Sequence, residues 1–206
     1  MIHATLALLL SLVLLWQNRP QLNEDPDNPI PGNGNASALF TAGLLLALAA
    51  AMAVLASLVS ALATNPDYQQ ATDLLEQLAL FAALPLLVIN GLVRALDYDW
   101  SRMIWGRILL VVCAMFAITR SSEWLDYWML AILAAGVLTF ALPIIKRGDK
   151  HFIPVLLYWC VVCAGYFSLD LRQPTGMQHW SWLGLSLLPY IICSNRWLSL
   201  SSLRSK

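Results

Sequence analysis

Seven long apolar stretches, separated by short polar ones that hold almost all of the charge, restrict this chain more than any other feature. The runs cover residues 2–16, 38–63, 74–93, 103–119, 125–145, 152–169 and 180–194. A helix crossing a bilayer needs roughly 20 mostly apolar residues at about 1.5 Å rise each. The sequence therefore predicts an all-α, polytopic transmembrane bundle, most simply of seven helices in a single integral membrane domain. The second run is long enough to tilt, whereas the first and last are short for a full crossing.

Composition excludes the soluble alternative. Of 206 residues, 59% are hydrophobic and 12% charged, against about 25% charged in an ordinary soluble domain. A chain of this length cannot enclose so much apolar surface in one core, so the excess is expected to face lipid. The formal net charge is zero, which gives no basis for a nucleic-acid partner.

Residues 2–16 read as a retained helix and not a cleaved leader. No Lys or Arg precedes them, and the chain continues as Leu15, Trp16, Gln17, Asn18, Arg19, Pro20 with no small-residue cleavage site. Residues 17–37 read as a flexible cytoplasmic linker, because Pro26, Pro29, Pro31, Gly32 and Gly34 oppose a helix. Its acids Glu24, Asp25 and Asp27 also suit a partner-binding tag.

Orientation follows from the basic residues, which favour cytoplasmic loops. With the N-terminus outside, the cytoplasmic side holds Arg19, Arg94, Arg102, Arg107, Lys146, Arg147, Lys150, Arg196, Arg204 and Lys206. Only Arg120 and Arg172 lie outside, a ratio of ten to two. Indole rings favour the headgroup level. Trp16, Trp100, Trp105 and Trp197 fall at inner helix ends and Trp124, Trp128, Trp180 and Trp182 at outer ends, leaving Trp159 mid-span.

The same topology places six acids on each side, so the outer face is acidic. Asp73 and Glu76 share a helix face, as do Glu123 and Asp126. With Asp170 they are expected to frame an outer vestibule that concentrates cations. Asp73 and Glu76 also read as an N-cap and first-turn acid of the third helix, stabilised by its dipole. His179, near these acids in sequence, is a candidate proton-responsive partner.

Within the spans, buried polar groups are costly and mark functional candidates. Asn90, beside Gly91 in the third run, needs a partner from a neighbouring helix. Arg107, one turn inside the fourth run, is expected to snorkel to the cytoplasmic surface. Pro85 and Pro189 lie well inside their runs, where each frees a carbonyl, either for a neighbouring helix or for a cation in a cavity. Ala49, Ala53, Ser57 and Ala61 recur every fourth residue and make a packing seam, so the second helix is expected to be central or tightly paired.

Cys160 and Cys163 form a W-C-x-x-C string with Trp159. In a soluble oxidoreductase such a pair exchanges disulfides, but in hydrocarbon a thiolate is disfavoured, and cysteine also serves as small apolar filler. The three histidines, His3, His151 and His179, fall on both sides of the membrane, so no shared metal or other cofactor is expected. The seventh run contains no lysine for a retinal Schiff base. No Walker loop and no G-x-S-x-G string occurs.

Three functions fit these features. One is a transporter or channel for a cation or small polar solute, using the acidic vestibule, the bent helices and Asn90. Another is a non-catalytic subunit or assembly factor of a larger membrane complex, binding other subunits or itself through the linker and the alanine seam. The third is a membrane-embedded enzyme acting on lipid or thiols. Compact loops point to a bacterial inner membrane, with the lipid bilayer as the obligatory partner.

Overall fold

The computed structural model describes residues 2–20, 33–59, 64–120, 124–168 and 182–193, and among these it is all-helical, with no strand. Seven helices follow in chain order: α1 (Ile2–Gln17), α2 (Asn33–Leu58), α3 (Pro66–Ala95), α4 (Arg102–Arg120), α5 (Leu125–Arg147), α6 (Phe152–Ser168) and α7 (Trp182–Cys193). Three are long and apolar enough to cross a membrane: α2, α3 and the stretch Tyr127–Arg147 of α5. α1, α6 and α7 are apolar but shorter. At about 1.5 Å per residue, the 16 residues of α1 reach roughly 24 Å, less than a hydrocarbon core of about 30 Å.

α3 is the axis of the bundle. Of its most apolar window, 78% is buried, against 44% for α2 and 39% for α5. Every residue from Ala79 to Val88 is buried, as are Asn90, Gly91 and Val93. Helices α2, α4 and α5 pack around it. Of the two places the alanine seam suggests for α2, central or tightly paired, the second holds: α2 pairs most extensively with α1, and the seam is only partly used, with Ala49 buried, Ala53 half-buried and Ser57 exposed. Ala61 lies outside the described residues.

Small side chains bring these helices close, as packing in lipid requires. α1 turns Ala4, Ala7, Ser11 and Leu14 inward. A Cβ on Gly43 of α2 would stand 3.2 Å from Leu15, and one on Gly184 of α7 would stand 3.7 Å from the Ala7 backbone, so α1 sits between α2 and α7. Gly136 of α5 receives the indole of Trp159, and any side chain there would strike that ring. Trp159 is fully buried, packs on Phe140 and Tyr190, and donates through Nε1 to the Leu133 carbonyl at 3.2 Å.

Helix ends depart from the apolar runs for a physical reason: hydropathy reports burial, whereas caps decide where a helix begins. α2 starts at Asn33, five residues before its run, so Asn33 to Ser37 are helical and not linker. α3 starts at Pro66, eight residues before its run. Its N-cap is Asn65, whose side chain accepts from the Asp67 and Tyr68 amides at 2.9 and 3.4 Å. Asp73 is therefore not the cap; it lies exposed about two turns into the helix.

At Pro85 and Pro189 the carbonyl four residues earlier is satisfied by an aromatic donor from an adjacent helix. Four residues before Pro85, the Phe81 carbonyl accepts from Trp128 Nε1 of α5 at 3.4 Å. Four residues before Pro189, the Leu185 carbonyl accepts from the Tyr158 hydroxyl of α6 at 3.1 Å. Neither carbonyl is left open to bind a cation.

Two expected belt tryptophans are interior. Trp105 is 4% and Trp182 3% exposed, and Trp182 Nε1 donates to the Val162 carbonyl at 2.8 Å. An indole N–H near a helix end can bond another helix as well as water, and sequence position does not separate the two. Trp16 and Trp124 are exposed, as a belt requires. Arg107 is exposed and its Nη2 reaches back one turn to Met103 Sδ at 3.7 Å, the direction expected for snorkelling.

Candidate functional site: a polar node at one end of α3

α3 contains two consecutive departures from regular helical bonding. Ala79–Ala83 forms a π-helical turn, and Pro85 follows two residues later. Such wide turns are uncommon and recur at functional sites. Between this break and the end of the helix stands Asn90, with no exposed surface.

Asn90 Nδ2 donates to the Asn35 carbonyl of α2 at 2.8 Å. That bond fixes the amide orientation, because the flipped form would set two oxygens against each other. Asn90 Oδ1 is consequently turned away from Asn35, and among the described residues it is buried without a hydrogen-bond partner. An unsatisfied buried acceptor costs about 1–3 kcal/mol, so this oxygen is suited to a visiting donor or cation.

Asn35 is the hub around it. Its Oδ1 accepts from Trp105 Nε1 of α4 at 2.9 Å, and its Nδ2 donates to the Tyr98 carbonyl at 3.2 Å. Four segments thus meet at one residue, α3 at its backbone carbonyl and α4 and the 96–101 connection at its side chain on α2. Gly34 permits this, since a Cβ there would collide with the Trp100 carbonyl. On the opposite flank, Thr139 Oγ1 of α5 lies 3.3 Å from the Val88 carbonyl and 2.9 Å from that of Ala135.

Charge closes this end of the bundle. Arg147, ending α5, forms an ion pair with Asp97, which holds a left-handed backbone at φ 66°. Arg94, one turn beyond Asn90, is half-buried, with the charge of Asp99 acting on it. The connection between α3 and α4 therefore supplies the acids and the helix ends supply the bases.

Of the remaining sequence candidates, only Glu76, Cys160 and Cys163 have described side chains. Glu76 is half-buried in α3, just before the π turn. Glu123, Asp170 and His179 lie outside the described residues, and Asp126 falls in the first turn of α5 with its side chain also outside them. Cys160 faces outward while Cys163 is half-buried against the core, both as free thiols. Asn35 and Trp105, the residues that hold Asn90, escaped the sequence reading. Asn35 lay in the Pro/Gly-rich stretch taken as linker, and Trp105 matched a belt position.

No family model, curated protein or solved structure matches the chain. The functional reading consequently rests on the node itself.

Proposed function

We propose that this chain is a multi-pass protein of a bacterial inner membrane that passes a cation or small polar solute along α3. In this reading all seven helices are embedded, the N-terminus lies outside and the C-terminus in the cytoplasm. Support for the embedding comes from the three long apolar helices and from the exposed leucines, isoleucines and valines over α1, α4, α5 and α6. Support for the orientation comes from the ten basic residues on one side against two on the other. The shorter helices reach the interfaces by local thinning of the bilayer and by snorkelling side chains.

One observation carries the transport reading: the open acceptor of Asn90, held rigidly in the most enclosed helix, two turns beyond a π turn and five residues beyond a proline. Broken helices near the middle of a membrane are where transporters build substrate sites, and an irregular backbone is tolerated there only when neighbours or a cavity satisfy it. Here the neighbours satisfy the carbonyls, which leaves the side-chain amide as the binding group. Glu76, on the far side of the π turn, and the outer acids Glu123, Asp126 and Asp170 would gather cations at the entrance, with His179 beside them.

Flux of monovalent cations and of small polar solutes into proteoliposomes tests this. Asn90→Leu keeps the volume and removes the acceptor. It is expected to lower flux about tenfold, the equivalent of one lost interaction of roughly 1.4 kcal/mol. Flux of no tested solute, or flux unaffected by Asn90→Leu, counts against transport.

A subunit role has its own supporting observation. The last turn of α2 exposes Ser57 between exposed Leu55 and Leu58, a surface on which another helix can pack closely at the serine. Co-purification of a second membrane protein in mild detergent, lost in Ser57→Leu, would favour that role; isolation as a lone monomer opposes it.

A further inference from the structure

At the end of the bundle that carries Lys146 and Lys150, α6 and α7 enclose a cleft of about 350 Å³. Its walls are Val155, Leu188 and Ile192 together with the rings of Pro154 and Pro189, and His151 stands at its rim. The Tyr158 hydroxyl also borders the cleft, but it is committed to the Leu185 carbonyl at 3.1 Å. That bond ties the two helices together and leaves the walls apolar. The volume is at the small end of ligand sites, which span about 300–1,000 Å³, and matches a narrow aliphatic occupant better than a ring system.

The rim is basic. His151 and its chain neighbour Lys150 are exposed there, and Lys146, also exposed, lies in the last turn of α5 that precedes them. Asp149 is the acid in the same turn, and its Oδ1 accepts from the His151 amide at 3.1 Å. Arg147 is paired with Asp97. By sequence, the chain continuing from Cys193, itself a wall residue, carries Arg196, Arg204 and Lys206 and no acid. An apolar slot opening onto an excess of positive charge is complementary to one molecule that combines both: a phospholipid with an anionic headgroup.

We propose that this cleft holds one acyl chain of an anionic phospholipid, with the headgroup phosphate against Lys150 and His151. The inference rests on the membrane reading above but not on transport. A headgroup at this rim fits the cytoplasmic placement of Lys146 and Lys150. The lipid would also fill the space beside Pro189 of α7.

Native mass spectrometry of the detergent-purified protein, titrated with phosphatidylglycerol or with phosphatidylcholine of the same chains, tests it. One tightly retained phosphatidylglycerol is expected, preferred over phosphatidylcholine by about tenfold or more. Lys150→Glu with His151→Glu, both at the surface, should abolish the preference. Leu188→Trp, which fills the slot, should abolish retention altogether. Circular dichroism and melting identify a Leu188→Trp that fails to fold, in which case Val155→Phe serves as the filling variant. Equal retention of both lipids, or retention unchanged by filling the slot, overturns the proposal. So does lipid binding that appears only after residues 194–206 are removed, which would make the tail the occupant. A chain that is soluble without detergent overturns the membrane reading instead, so the two failures are distinguishable.

Discussion

At Asn90 the amide is pinned on its nitrogen side and open on its oxygen side, and the two sides respond differently to substitution. Removing the bond to the Asn35 carbonyl costs on the order of 0.6 kcal/mol, the average for a polar contact between helices in lipid. Removing the unsatisfied oxygen at the same time gives that energy back. Asn90→Leu should therefore melt within a few degrees of the native protein in detergent even as flux falls, and a large loss of stability would recast Asn90 as purely structural. Gly136 behaves in the opposite way. A methyl group there meets the Trp159 indole, so Gly136→Ala should destabilise by about 1–3 kcal/mol, read as a lowered melting temperature with broadened tryptophan emission. Asn90 was legible in the sequence because an amide in an apolar run must find a partner. Its partner was not, because Asn35 sits among glycines and prolines that signal a turn until α3 and the 96–101 connection are folded against it.

Among the elements, α3 and α7 meet the same difficulty with the same device. Proline removes an N–H, and an aromatic donor from the adjacent helix takes over the stranded carbonyl: Trp128 for Phe81, Tyr158 for Leu185. A double-mutant cycle isolates this. Tyr158→Phe leaves the Leu185 carbonyl without its donor and should cost about 0.5–1.5 kcal/mol. In the Pro189→Ala background, where the backbone amide returns, the same substitution should cost close to nothing. Equal costs in both backgrounds would show that the hydroxyl serves another purpose. The positions of both prolines were plain from the sequence, but the identity of the donors depended on which helices are neighbours. Periodicity could not supply that, since these helices are apolar on nearly all sides. The same uniformity hid which helix is central. The alanine seam of α2 advertised close packing, yet the long, irregular α3 took the axis because its π turn and proline need covering on every side.

For the molecule as a whole, apolar runs and charge asymmetry indicated the helical class and the number of helices, while the helix ends and the buried node required tertiary contacts. The central claim is that the helices alternate across a bilayer, with the Asn35–Asn90 node near its cytoplasmic face. Single cysteines placed in a cysteine-free background at Asn65, ahead of α3, and at Asp149, between α5 and α6, test this directly with a membrane-impermeant maleimide on intact cells. The account predicts that the cysteine replacing Asn65 reacts from outside and that the one replacing Asp149 reacts only after the membrane is opened. Labelling of both from one side, or in the reverse order, would contradict it.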